Sequence, residues 1–245
     1  MIERSMGSLT AAAMLAATLA LAACGPAQDP KAAEAQQAAA REQEADAMAD
    51  AFEAEYGKQN WELARAHGDV LMAKYPSSAA AARIEERHKE VKDKAAKARE
   101  QRRVAALWTY QTQPVKGGDQ LSASIYAKEY VDTDGSGARP VQLIFRDHPD
   151  WGRSSYLVLE AGDFNCYGGC KVKLTVDAAA PRAVAASRPK TDQAIAMFIE
   201  DERALWKTVK SAKTIAIEFP VKAGGTRTAV FEVGGLDPTK LPKWN

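Results

Sequence analysis

Two cysteines with three residues between them, in Cys166-Tyr167-Gly168-Gly169-Cys170, are the sharpest concentration of reactive side chains in this sequence. A redox-active pair usually holds two intervening residues, and a zinc site needs about four ligands, so neither chemistry fits two isolated thiols well. The histidines His67, His88 and His148 are scattered. No His-Glu-x-x-His metal motif, Gly-x-Ser-x-Gly elbow or phosphate-cradling glycine loop is present. No catalytic, metal-ligating or cofactor-holding residue is therefore assigned, and an enzyme is not expected. Asp132-Thr133-Asp134-Gly135-Ser136-Gly137 opens like a calcium loop, but Leu143 stands where the twelfth-position glutamate belongs. Asp-Gly between two strands reads better as a hairpin turn. Asp147, Asp150 and Asp163 lie near turns, with Trp151, Tyr156 and Tyr167 in the same region. Carboxylates beside aromatics suit a sugar or a partner loop, although solvated turn residues are the plainer reading.

The elements that carry these residues fall into two parts. Ala45, Met48, Phe52 and Tyr56 recur at helical spacing, and Gly57 interrupts them. Trp61, Ala64, Leu71 and Tyr75 form a second apolar stripe, ended by Pro76. Ser77 or Ser78 then caps a third helix running to about Val104. Residues 31–62 carry three basic and eight acidic side chains, and residues 83–103 carry nine basic and five acidic ones. Neighbouring helices with complementary faces would suit a bundle, although exposed pairs contribute little each. Near Leu107 the period changes. Strands are predicted at 108–111, 121–131, 140–146, 155–160, 171–176, 214–219 and 226–233, with a helix over 198–210. The fold class is thus α+β: a helical hairpin or bundle, then a mainly antiparallel β domain with one late helix.

The N-terminus supplies the address. An apolar stretch from Leu9 to Ala23 closes on Leu21-Ala22-Ala23-Cys24-Gly25. It is too short for a comfortable membrane span of roughly 20 residues, and small residues precede the cysteine as at a cleavage site. The run resembles the lipobox of bacterial lipoproteins. The resemblance implies that residues 1–23 are a signal peptide and that Cys24 is lipidated and becomes the first mature residue. Three acyl chains would anchor it stably. Gly25 in place of an Asp after the cysteine implies the outer membrane, on its periplasmic face. The alternative is an ordinary secretory signal followed by an incidental cysteine. In that oxidising compartment Cys166 and Cys170 are expected to form a disulfide, worth only about 2 kcal/mol for so short a loop. The bridge would hold an exposed aromatic at low entropic cost, so Tyr167, Gly168 and Gly169 form the candidate binding tip.

The phrases Trp61-Glu62-Leu63-Ala64-Arg65-Ala66 and Tyr75-Pro76-Ser77-Ser78 resemble part of one tetratricopeptide-type hairpin. Such solenoids usually need three or more repeats, so a single hairpin is expected rather than a peptide-binding superhelix. The resulting organisation is signal peptide 1–23, lipidated tether 24–40, helical segment 41–106, α+β domain 107–235 and irregular tail 236–245. A net charge of +1 gives no electrostatic case for nucleic acid. The expected role is non-enzymatic: a lipid-anchored protein with an envelope protein as partner and no cofactor. The alternatives are an inhibitor or immunity lipoprotein against a toxin or hydrolase and, less favoured, an enzyme acting on peptidoglycan or glycan.

Overall fold

The computed structural model describes residues 29–189 and 195–244. The signal peptide and the lipidation expected at Cys24 lie outside them. Asp29 caps α1 (Pro30–Gly57), its side chain accepting from the Lys31 amide at 3.1 Å, and proline opens the helix. Residues 30–40, expected as part of the tether, are thus the first turns of α1, as their alanine content favours. α2 (Trp61–Lys74) stops before Pro76, and Ser78 Oγ caps α3 (Ala79–Ala105) by accepting from the Ala81 amide. The three helices pack on a small core of Phe52, Leu71, Ile84 and Val91 with alanines between them.

The opposed charges of α1 and α3 pair as their sequences suggested. Arg83 bridges Asp46 and Asp50, and Arg87 bridges Glu53. Tyr56 donates to Glu90 at 2.8 Å, and the Ala80 amide donates to Glu42 at 3.2 Å. These pairs advance together along both helices, so α1 and α3 run parallel. At about 1.5 Å rise per residue, Pro30 and Ala105 are about 55 Å apart along the bundle. The bundle is a long rod.

Only Ala106 and Leu107 separate α3 from a nine-stranded antiparallel sheet. Its strands are β1 (Trp108–Val115), β2 (Gly118–Tyr126), β3 (Val141–His148), β4 (Gly152–Leu159), β5 (Cys170–Val176), β6 (Arg182–Ser187), β7 (Ala196–Ile199), β8 (Ile215–Pro220) and β9 (Thr226–Phe231). They lie in the order β1-β2-β3-β4-β7-β6-β5-β8-β9. The sheet curls toward closure: the Lys128 amide donates to the Val230 carbonyl at 2.7 Å, and Trp108 Nε1 to the Val233 carbonyl at 3.3 Å. Alternate side chains from every strand meet α4 (Glu202–Ser211) in one core, where Phe145 touches Trp206 and Trp244.

The molecule is therefore α+β, with several departures from the sequence-based expectations. β2 ends at Tyr126, and Val131 makes only an isolated bridge to Arg139. β6 and β7 were not anticipated. Phe198 and Ile199, expected in the late helix, belong to β7, because Asp201 starts the helix by accepting from the Ala204 amide. The tail expected to be irregular contains two short 3-10 turns, and Leu241 and Trp244 are buried in the core.

Candidate functional site

Strand register sets out the candidate site. β3 buries Val141, Leu143, Phe145 and Asp147, which leaves Ile144 and Arg146 on the opposite face. Ser124, Ile144, Tyr156, Phe198 and Ser187 are register partners in turn across β2, β3, β4, β7 and β6. One row of outward side chains thus crosses five strands, with Ser122, Arg146 and Ser154 forming the next row. Cross-strand aromatic and branched pairs of this kind each add roughly 0.2–1 kcal/mol to the sheet.

Arg146 is the pivot of this face. Its guanidinium carbon is 5.3 Å from the ring centroid of Trp151 and 5.3 Å from that of Tyr156, both within cation–π range. Its Nε donates to Ser154 Oγ at 3.2 Å. Tyr156 continues the stack to Phe198, centroid to centroid 5.4 Å. Burial holds the Tyr156 hydroxyl above its usual range, with Arg146 pulling the other way. On the other side, Trp151 lies parallel to His148 with centroids 3.9 Å apart, yet is 71% exposed. His148 Nδ1 accepts from the Asp150 and Trp151 amides at 3.1 and 3.3 Å, so the neutral ring carries its proton on Nε2. Those two bonds fix the β3–β4 turn and hold the indole in place.

The disulfide between Cys166 and Cys170 is formed, with its Cα atoms 5.0 Å apart. Gly168 and Gly169 both have positive φ (79° and 101°), which glycine adopts without a Cβ penalty, and Tyr167 is 67% exposed. Cys170 is the register partner of Ala186, and its Sγ is 4.0 Å from Met197 Sδ on β7. An open depression of about 480 Å3 between the loop and β6 is lined by Gly169, Cys170, Lys171, Ala185 and Ser187. Ser187 is also the partner of Phe198, so the tip borders the aromatic row.

The carboxylates singled out in the sequence do not gather there. Asp147 faces inward, 3.4 Å from Lys243 Nζ. Asp163 lies 3.3 Å from Arg188 and 3.5 Å from Lys222. Asp132 accepts from the Gly135 amide at 2.7 Å, the turn its sequence suggested. His88 is buried in the bundle with Nε2 2.8 Å from Asp69 Oδ1, far along the chain from this face. Among the described residues no group of three or more His, Cys, Asp or Glu side chains is placed to hold a metal ion. Among them, too, no helix is long and apolar enough to cross a membrane. Sequence reasoning found Trp151, Tyr156 and Tyr167 but missed Arg146, whose signal was its alternation with buried Phe145 and Asp147.

No family model matches this chain, and no curated protein matches it. Among solved structures, it is similar to the crystal structure of invasion associated protein B from Bartonella henselae, at 14% identity and a TM-score of 0.37. The match covers 56% of this chain and 91% of that one. That likeness is too slight to assign a fold family or a function.

Proposed function

We propose that this chain is a lipid-anchored, non-enzymatic binding protein of the Gram-negative envelope, held at the periplasmic face of the outer membrane through Cys24. In this reading the helical rod carries the β domain away from the membrane, and the β domain engages another envelope protein. The observation that carries it is the cluster of Trp151, Arg146 and Tyr156 on a hydrogen-bonded sheet. Tryptophan, tyrosine and arginine are the residue types that dominate binding hot spots, and fixing them in advance lowers the entropic cost of binding. The lipobox-like run through Cys24 supports the address, and the rod supports the reach.

The test is intact mass and membrane fractionation of the native protein beside Cys24→Ala, with in-cell crosslinking of both. Acyl mass and outer-membrane sedimentation confined to the native protein, with a discrete crosslinked product, are expected. Identical soluble, cleaved products from both would overturn the anchor. Absence of any crosslink from the β domain would overturn the binding role.

A further inference from the structure

We propose that Arg146 is the docking point for a carboxylate presented by an acidic segment of a partner protein, with Trp151, Tyr156 and Phe198 as the apolar bed around it. This deepens the binding role proposed above and rests on it. Arg146 forms no ion pair among the described residues. Its one hydrogen bond there uses Nε, which leaves both terminal nitrogens for a ligand. The two rings and Ser154 fix the guanidinium plane, so the paired donors of its outer edge are presented in a set orientation. That geometry matches the two oxygens of a carboxylate.

The surroundings point the same way. The residues nearest Arg146 on its face of β2, β3 and β4 are Ser122, Ser124, Ile144, His148, Ser154 and Tyr156, of which Ser124 and His148 are buried and none is acidic. Asp150, although beside Trp151, makes no ion pair with Arg146, and Asp147 is turned inward to Lys243. Glu200, two residues beyond Phe198, accepts from Ser187 Oγ at 2.6 Å. A fixed cation without a counter-charge, on a largely neutral and aromatic surface, is complementary to an anion with an apolar flank. A protein segment is favoured over a sugar because Trp151 already stacks on His148 and Arg146, which leaves less open ring face for a pyranose platform.

The probe is a fluorescein-labelled peptide of alternating Glu and Gly, with its Gln counterpart, titrated into the purified full-length protein and read by anisotropy. The Glu peptide is expected to bind and the Gln peptide not to. Arg146→Gln should weaken the Glu peptide at least about tenfold, and raised salt should weaken it progressively. Arg146 lies outside both cores, and a far-ultraviolet circular dichroism spectrum and a urea midpoint close to those of the native protein establish that the variant is folded. Glu-peptide binding that is indifferent to Arg146→Gln overturns the proposal. So does Arg146-dependent binding of oligogalacturonate or phosphatidylglycerol vesicles without binding of the peptide. In cells, a photo-crosslinker at Ser122, the register partner of Arg146, separates this proposal from the broader one. A product lost in Arg146→Glu supports the docking point. A product that persists overturns the docking point and leaves the binding role standing, and no product from any β-domain position removes both.

Discussion

Gly68 is small because His88 lies against it. A Cβ at position 68 would sit 2.5 Å from His88 Cδ2, and the imidazole is itself held by Asp69 and packed edge-on against Phe52. Moving the ring aside would break its hydrogen bond to Asp69 and its packing on Phe52, so Gly68→Ala should cost about 1–3 kcal/mol as overpacking. Gly57, at the end of α1, has open space around its missing Cβ, so Gly57→Ala should be neutral or stabilising by up to about 1 kcal/mol. Urea midpoints of the two variants test this, and equal midpoints would refute the account of His88. Asp69 adds a pH dependence. Burial pushes its carboxyl up, but hydrogen bonds from His88 and Arg65 outweigh that and leave it below the usual carboxylate range. A lowered folded value means the contribution is complete above the unfolded value near pH 4 and fades as pH falls through the folded one. The midpoints of native protein and Asp69→Asn should therefore converge between about pH 5 and pH 2. A gap that stays constant over that range would rule the linkage out.

At the scale of elements, helices and alternating strands were legible where local chemistry and tertiary context agree. Ser78, Pro76 and Gly57 mark helix ends by capping and backbone geometry, and Lys171–Val176 alternates as a half-buried strand should. β6 was not legible, because Arg182-Ala-Val-Ala-Ala-Ser187 is rich in alanine, a poor strand former whose pairing here comes from its neighbours. β7 is only four residues of nearly continuous apolar character, a pattern that a buried helix shares. The candidate site depends on those two strands. Tyr156 meets Phe198 only because β4 pairs with β7, a long-range choice that no local window contains. The disulfide was legible from spacing and compartment, and its energy follows the length of its loop. The paired variant Cys166→Ser with Cys170→Ser should lose about 2 kcal/mol, read as a lower denaturant midpoint with an unchanged slope. A loss above about 5 kcal/mol would mean that the bridge organises the sheet rather than stapling one loop.

For the whole molecule, the decisive feature is the joint between two separate cores. Phe52, Leu71 and Ile84 center one, and Phe145, Trp206 and Phe219 the other. α3 passes into β1 within two residues, and Arg103 joins Glu100 to Glu232 beside β9. Arg103 holds the Glu232 carboxyl below its usual range, against a smaller upward push from burial. Gly235 completes the joint: a Cβ there would strike the backbone of Val104 and Ala105. Helix backbone cannot move aside as a side-chain tip can, so Gly235→Ala must part the tail from α3. Neither core contains Gly235, so each should survive. The expected result is calorimetry in which the bundle and the β domain of Gly235→Ala melt separately, with faster proteolysis near Leu107, while the native protein melts in one transition. An unchanged single transition with no new cleavage would mean that the close approach at Gly235 is not what couples the cores. The coupling would then rest on the short passage from α3 into β1 and on the Arg103–Glu232 pair, which would still hold the β domain in a set orientation at the end of a rod of about 55 Å.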